Sequence, residues 1–259
     1  MALRRSRRYG PPLECADVTG LPRVAVLGLD AATTAAAVAL VDGGLEITVF
    51  ASAPIPSADV ATLTAYGCAD RLVAVRATTL RLTAAAATAP PYVIDGTVID
   101  GTVIDGTVID GTPADQNPPA DSAQPLGTFD AVVLNAHTEG LLPATSIAAE
   151  STRFGGVFDP QVAWVFHVGG PVELATAQGR WIGEYLRGRY ALPDDPQSGA
   201  GALPVVRGRP WRKGIRSALA EVDRELQAGH ARAATAGYPL PTPADWLLTT
   251  AAAPATSGG

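Results

Sequence analysis

The chain has 259 residues, 47% of them hydrophobic and 17% charged, with a formal net charge of −6 and a pI of about 5.0. That is enough apolar material for a core in one large or two small domains, and the acidic balance argues against a nucleic-acid or anionic-membrane partner. Two isolated cysteines, Cys15 and Cys68, make neither a disulfide framework nor a zinc site, and the sequence offers neither a transmembrane span nor a signal peptide, so a cytoplasmic location is expected.

Residues 1–20 read as a leader, with Arg4, Arg5, Arg7 and Arg8 in a solvated basic cluster. Lysine occurs once, at Lys213, and methionine once, at Met1; with the abundant Ala, Gly and Pro this composition suggests a GC-rich bacterial gene. "RVAVLG" (23–28) is a short apolar run closing on glycine. The Ala-rich stretch after it predicts a helix that stops at Gly43 and Gly44. "LEITVFAS" then predicts a second strand. Strand, turn, helix and strand in so short a span make a βαβ unit with a right-handed crossover. "SADVATLTAYGCA" predicts a helix and "RLVAVRATTLRL" a pair of strands, followed by a low-complexity break from Ala84 to Pro91.

Residues 93–112 are "VIDGT" written four times, and a Pro-rich linker covers 113–128. Asp-Gly between apolar residues is a strong hairpin signal, so one copy reads as a strand stub entering a tight turn. A period of five reverses the facing of equivalent side chains at each copy, because an extended chain alternates with period two. The four copies are therefore expected to form an expanded loop or ragged meander. The alternatives are a short ordered stack, or a cation site built from Asp95, Asp100, Asp105 and Asp110, although calcium loops need denser oxygen donors than this.

"FDAVVLN" (129–135) predicts a buried strand, and "VAWVFHVGG" (162–170) another. Residues 173–189 place Leu174, Ala177, Trp181, Ile182 and Tyr185 on one helical face, which predicts that Trp181 is buried against the strand carrying Val132 and Leu134. Residues 194–209 read as loop, and "WRKGIRSALAEVDRELQAGHARA" as an amphipathic helix ahead of a small-residue tail containing Trp246. Alternating strands and helices imply an α/β fold with a largely parallel sheet.

Three of these segments resemble the flavin-containing and Baeyer–Villiger-type monooxygenases over residues 5–54 and 129–193. "SRRYGPP…LPRVAVLGLDAATTAAAVALV…LEITVFASAP" is similar to the opening of their NADPH-binding domain. "FDAVVLNAHTEG" resembles their return strand, and "VFDPQVAWVFHVGGPVELATAQGRWIGEYLRGRYALP" their C-terminal flavin-domain segment. The resemblance implies a Rossmann-like dinucleotide-binding fold, part of a two-dinucleotide-binding-domain flavoprotein, with FAD and NADP as cofactors. It divides the chain into the leader (1–20), an NAD(P)-binding-like domain with repeat and linker (21–128), a flavin-domain-like segment (129–193), and a C-terminal helix with its tail (194–259). By the same resemblance, Gly28, Asp30, Thr33, Ser52, Gly169, Gly170 and Gln178 stand at cofactor-binding positions.

The departures from the family pattern set the functional expectation. The N-terminal FAD-binding unit, with its own glycine fingerprint, is missing. The second glycine of the remaining fingerprint, which lets the backbone approach a pyrophosphate, is Asp30 here. Asp30 reads first as a helix cap. After the second strand, Ala51, Ser52 and Ala53 supply neither a carboxylate for ribose hydroxyls nor a cation for a 2′-phosphate. Asn135-Ala136-His137 replaces the Ala-Thr-Gly of the return strand.

The resulting expectation is a degenerate or partial FAD/NAD(P)H-dependent monooxygenase-like oxidoreductase, inactive as an isolated chain. Two alternatives are a subunit whose missing FAD unit comes from a separately encoded protein partner, and a non-catalytic scaffold. Other chemistry is sparse. His137 and His167 at strand ends read first as hydrogen-bonded rim or core residues, and His230 as solvated. Ser146 and Ser151 lack a nucleophile-elbow context. Glu139 and Glu173 qualify as acid/base groups only if folding brings them together.

Overall fold

The computed structural model describes residues 20–52, 55, 57–75, 80–86, 89–98, 124–141, 153–193 and 214–238. The later repeat copies, Cys15, Ser146, Ser151, the loop at 194–209 and Trp246 lie outside these residues. Among the described residues there are eight strands: β1 (Val24–Leu27), β2 (Ile47–Ser52), β3 (Leu72–Val75), β4 (Arg81–Ala86), β5 (Ala89–Gly96), β6 (Gln124–Phe129), β7 (Ala131–Leu134) and β8 (Val165–His167). The α-helices among the described residues are α1 (Ala31–Asp42), α2 (Ser57–Ala65), α3 (Val172–Leu186) and α4 (Ile215–Thr235).

A five-stranded parallel sheet, in the order β3-β2-β1-β7-β8, forms the centre. β1 is fully buried along its length, as expected of a continuous apolar run covered on both faces. Strand alternation then sorts its neighbours. Val24, Val26, Ala131 and Val133 face the helices, whereas Ala25, Leu27, Val132 and Leu134 face the other way. The second face is covered by an antiparallel meander, β4-β5-β6, whose Leu82, Tyr92, Ile94 and Phe129 point inward. The fold is therefore a three-layer, Rossmann-like α/β architecture. Because β7 lies directly beside β1, residues 129–193 and the βαβ unit at the chain start share one sheet.

α1 is nearly all Ala, Val and Thr, and the lack of bulk lets α3 approach closely. A Cβ at Gly179 of α3 would stand 2.7 Å from the Ala36 carbonyl oxygen. α1 stops at Gly43, with Gly44 in the left-handed region at φ 82°, as the sequence predicts. α3 buries Leu174, Trp181, Ile182 and Tyr185. Trp181 is fully buried, with the Phe158 ring centroid at 5.1 Å, Phe154 at 5.7 Å and Tyr190 at 5.8 Å. It packs against β7, the strand expected from the sequence, on its Ala131/Val133 face, because the helices and the meander occupy opposite sides of that strand. α4 packs behind α3 through Ala218, Val222, Leu226, Gly229 and Ala233.

Two other expectations change. The break at 84–91 is part of a hairpin, with Ala84 paired to Tyr92 and Ala86 to Ala89. Alanines carry little strand signal, and the pairing is carried by backbone and by buried Tyr92 and Ile94. The strand expected over 162–170 shrinks to Val165–His167. The Asp159 carboxylate accepts the amides of Gln161 (2.8 Å) and Val162 (3.2 Å), and Trp164 adopts φ 58°, so the chain turns before it can pair. The first repeat copy forms the expected strand, but its Asp95-Gly96 pair continues the ladder, opposite Pro125 and Gln124, instead of making the expected tight turn. Val93–Gly96 completes β5 of the meander, and Val98 makes an isolated bridge to Val75.

Candidate functional site

In an open α/β sheet the ligand crevice lies beyond the carboxyl ends of the strands where the order reverses. Here that point is between β1 and β7. Gly28 leaves β1 at φ 89°, a conformation that favours glycine. The space its missing side chain leaves is already taken. A Cβ there would meet Thr138 Cγ2 at 2.9 Å and Asn135 Nδ2 at 3.1 Å.

Asp30 is the N-cap of α1. Its Oδ1 accepts the Thr33 backbone amide at 2.8 Å, and the Thr33 hydroxyl accepts the Asp30 amide at 2.8 Å, a reciprocal capping box. The second carboxylate oxygen reaches across the crevice, where Oδ2 accepts from Asn135 Nδ2 at 2.7 Å. Asn135 Oδ1 in turn accepts the amides of His137 and Thr138, both at 3.0 Å. The Thr138 hydroxyl lies 3.1 Å from the Leu27 carbonyl oxygen. The ends of β1 and β7 are thus laced together by their own side chains. Ser52, at the end of β2, is half-buried and uncharged.

A dinucleotide pyrophosphate does not fit this arrangement. The helix N-terminal amide that would receive a phosphate oxygen is held by a carboxylate, and that carboxylate is itself anchored by Asn135. Any phosphate entering would meet like charge and have to displace three side chains.

A second cluster lies beside the first, at the ends of β7 and β8. His167 is buried, with Nδ1 3.0 Å from Glu139 Oε1 and Nε2 3.3 Å from Asp159 Oδ2. Arg153, also buried, donates to the same Glu139 oxygen at 2.7 Å. The His167 hydrogen bond is the main force that holds the Glu139 carboxyl down at about 2; Arg153 adds to it, while partial burial works in the opposite direction. Glu139 is therefore a poor general base and cannot act as an acid near neutral pH. Both imidazole nitrogens face carboxylates, so the ring has no free nitrogen to offer a ligand. The cluster ties the 153–159 turn to the sheet. Glu173 is not part of it and stands exposed in the first turn of α3.

At the start of α3, Gln178 is buried and its Oε1 accepts the Gly169 amide at 3.0 Å. Gly170, at φ 87°, makes the turn into the helix. These three predicted residues come together, held by one another. His137 is exposed at the rim. His230 remains partly exposed to solvent, as expected, and is also paired, with Nε2 3.1 Å from Glu184 Oε2. Asp95 lies 3.5 Å from the Thr83 hydroxyl, and no group of three or more His, Cys, Asp or Glu among the described residues is placed to hold a metal ion. No described helix is long and apolar enough to cross a membrane.

Sequence reading missed Arg153 and Asp159. The only signal was two charged residues set among the aromatic and apolar residues of "RFGGVFDPQVAWVFHV". The chain matches no protein-family model and no curated protein. Among solved structures it is similar to S-allyl-L-cysteine S-oxygenase from Allium sativum, at 12% identity and a TM-score of 0.47, over 89% of this chain and 91% of that one.

Proposed function

We propose that this chain is a degenerate oxidoreductase domain of the flavin-monooxygenase kind, which keeps the Rossmann-like scaffold but has a hydrogen-bonded plug in place of its dinucleotide site. The observation that carries this reading is the 2.7 Å bond from Asn135 to Asp30 across the β1/β7 switch point, with Thr138 in the space beside Gly28. Hydride and oxygen chemistry belong to bound nicotinamide and flavin, so a chain that binds neither does not turn over by itself. Any flavin chemistry it takes part in is supplied by a separately encoded partner.

Calorimetric titration with NADPH, NADH and FAD tests this, together with the visible spectrum of the purified protein. The expected outcome is a colourless protein with no sub-millimolar binding of any of the three. Opening the crevice with Asp30→Gly and Asn135→Ala, and adding a cation with Ser52→Arg, is expected to raise NADPH affinity. Sub-millimolar binding by the unmodified chain overturns the proposal.

A further inference from the structure

The helical face carries a trough separate from both clusters. Its floor is the outward side of α1, where Ala35 and Val38 present only small apolar groups. One wall is the end of α2 with Tyr66, and the other is α3 with Val172 and Arg180. The trough has a volume of about 710 Å³, within the range of sites that hold small molecules. Two large apolar side chains stand open on its rim, Tyr66 at 55% exposure and Val172 at 49%. Leu21, Val98 and Tyr238 are comparably exposed elsewhere, but Tyr66 and Val172 stand on either side of a concave apolar floor, which suits the surface to an apolar body.

The charges around it are uneven. Arg187 is held by Glu184 and the Gly43 carbonyl, and Glu184 also takes His230. Arg180 and Arg189 are exposed, line the same trough, and make no ion pair among the described residues. A guanidinium fork that is free beside an apolar floor matches a carboxylate in both charge and shape. The trough also contains the carboxylates of Asp42 and Glu184, so a polyanion such as a pyrophosphate would meet several times the repulsion that a monoanion meets. Concavity and the chain's net charge of −6 disfavour a flat anionic bilayer.

We propose that this trough binds a small amphipathic monocarboxylate, with its aryl or acyl body over α1 between Tyr66 and Val172 and its carboxylate on Arg180. The site is independent of the closed crevice. The probe is 4-phenylbutyrate, titrated calorimetrically into the full chain, with its neutral primary amide as the control. Saturable binding of the acid is expected. The amide and the Arg180→Glu variant are each expected to bind at least about tenfold more weakly, the effect of losing a charge-assisted hydrogen bond. Ala35→Trp, which fills the floor, is expected to abolish binding. Its helical circular dichroism is checked first, and if it does not fold, the amide and Arg180→Glu decide the matter alone. Amide NMR shifts are expected at Val38, Tyr66 and Val172. No saturable binding, equal binding by the acid and the amide, unchanged binding in Arg180→Glu, or shifts confined to Gly28–Asp30 would each overturn the proposal.

Discussion

The α1–α3 interface and the strand-end crevice each depend on a glycine with no room for a side chain, and they differ in what takes the room. At Gly179 the neighbour is backbone, the Ala36 carbonyl oxygen 2.7 Å from where a Cβ would stand. At Gly28 the neighbours are the side chains of Thr138 and Asn135. The first is helix packing of the kind the Rossmann-like fold always needs. The second is a place where that fold ordinarily admits a phosphate, and here the chain has filled it with its own atoms. A fingerprint glycine therefore reports close approach, and the approaching group need not be a ligand.

Breaking the helical side is expected to have the largest effect. Trp181→Ala empties a site enclosed by Phe154, Phe158 and Tyr190, and such truncations cost about 3–5 kcal/mol, a large share of the roughly 5–15 kcal/mol that holds a domain. Denaturant melts are expected to show lost or non-cooperative unfolding. The paired glycine substitutions sharpen the comparison directly. Gly179→Val pushes α3 off the α1 backbone and is expected to cost about 1–3 kcal/mol, as overpacking does. Gly28→Ala meets side chains that can rotate, but it also carries the left-handed φ, a penalty of about 1–2 kcal/mol. Gly28→Ala is expected to be the milder of the two. If it is the more severe, the plug is more rigid than the helix interface.

A smaller, pH-dependent effect is expected from the second cluster. Glu139 ordinarily titrates near 4.5 and is held at about 2 in the folded chain. A depressed carboxylate contributes stability that is complete above the unfolded value and is lost as pH falls from 4.5 towards 2. Glu139→Gln is therefore expected to be less stable than the parent at pH 7, with the difference shrinking through that window. A gap that is constant from pH 7 to pH 2 would show that the contribution does not depend on the carboxylate charge. The smallest effect is expected from removing three repeat copies, Val98–Thr112. The flanking residues Gly96 and Gln124 are already partners in the β5–β6 ladder. Changing loop length twofold alters closure entropy by only about 0.6 kcal/mol, and among the described residues the deletion forfeits the isolated bridge from Val75 to Val98. A melting temperature within a few degrees of the parent is the expected reading.

The order of elements could be read in the sequence because the parallel strands are short apolar runs and α3 and α4 are amphipathic. The parallel sheet and the stop at Gly43–Gly44 both follow from such local patterns, whereas the β4–β5 hairpin was hidden by its alanines. What local pattern could not supply was sidedness. Val132 and Val133 are equally apolar, and only the placement of β4–β6 decides which of them meets Trp181. The plug was half legible. Asp30 reads as a cap from its position alone, but its bond to Asn135 spans 105 residues and has no local signature. The Glu139–His167–Asp159 cluster was illegible for the same reason, since its members become neighbours only when β7 and β8 pair.

The site of the pentapeptide copies has a genetic consequence. A five-residue unit is a whole number of codons, so replication slippage within a tandem tract adds or removes copies without shifting the reading frame. Because the first copy completes β5 and its partner strand β6 resumes only at Gln124, a copy added or removed after Gly96 changes the span between two paired strands and not their register. A change of copy number is thereby expected to leave the β5–β6 pairing in place, and the same junction is a natural port for inserting a reporter or an affinity peptide.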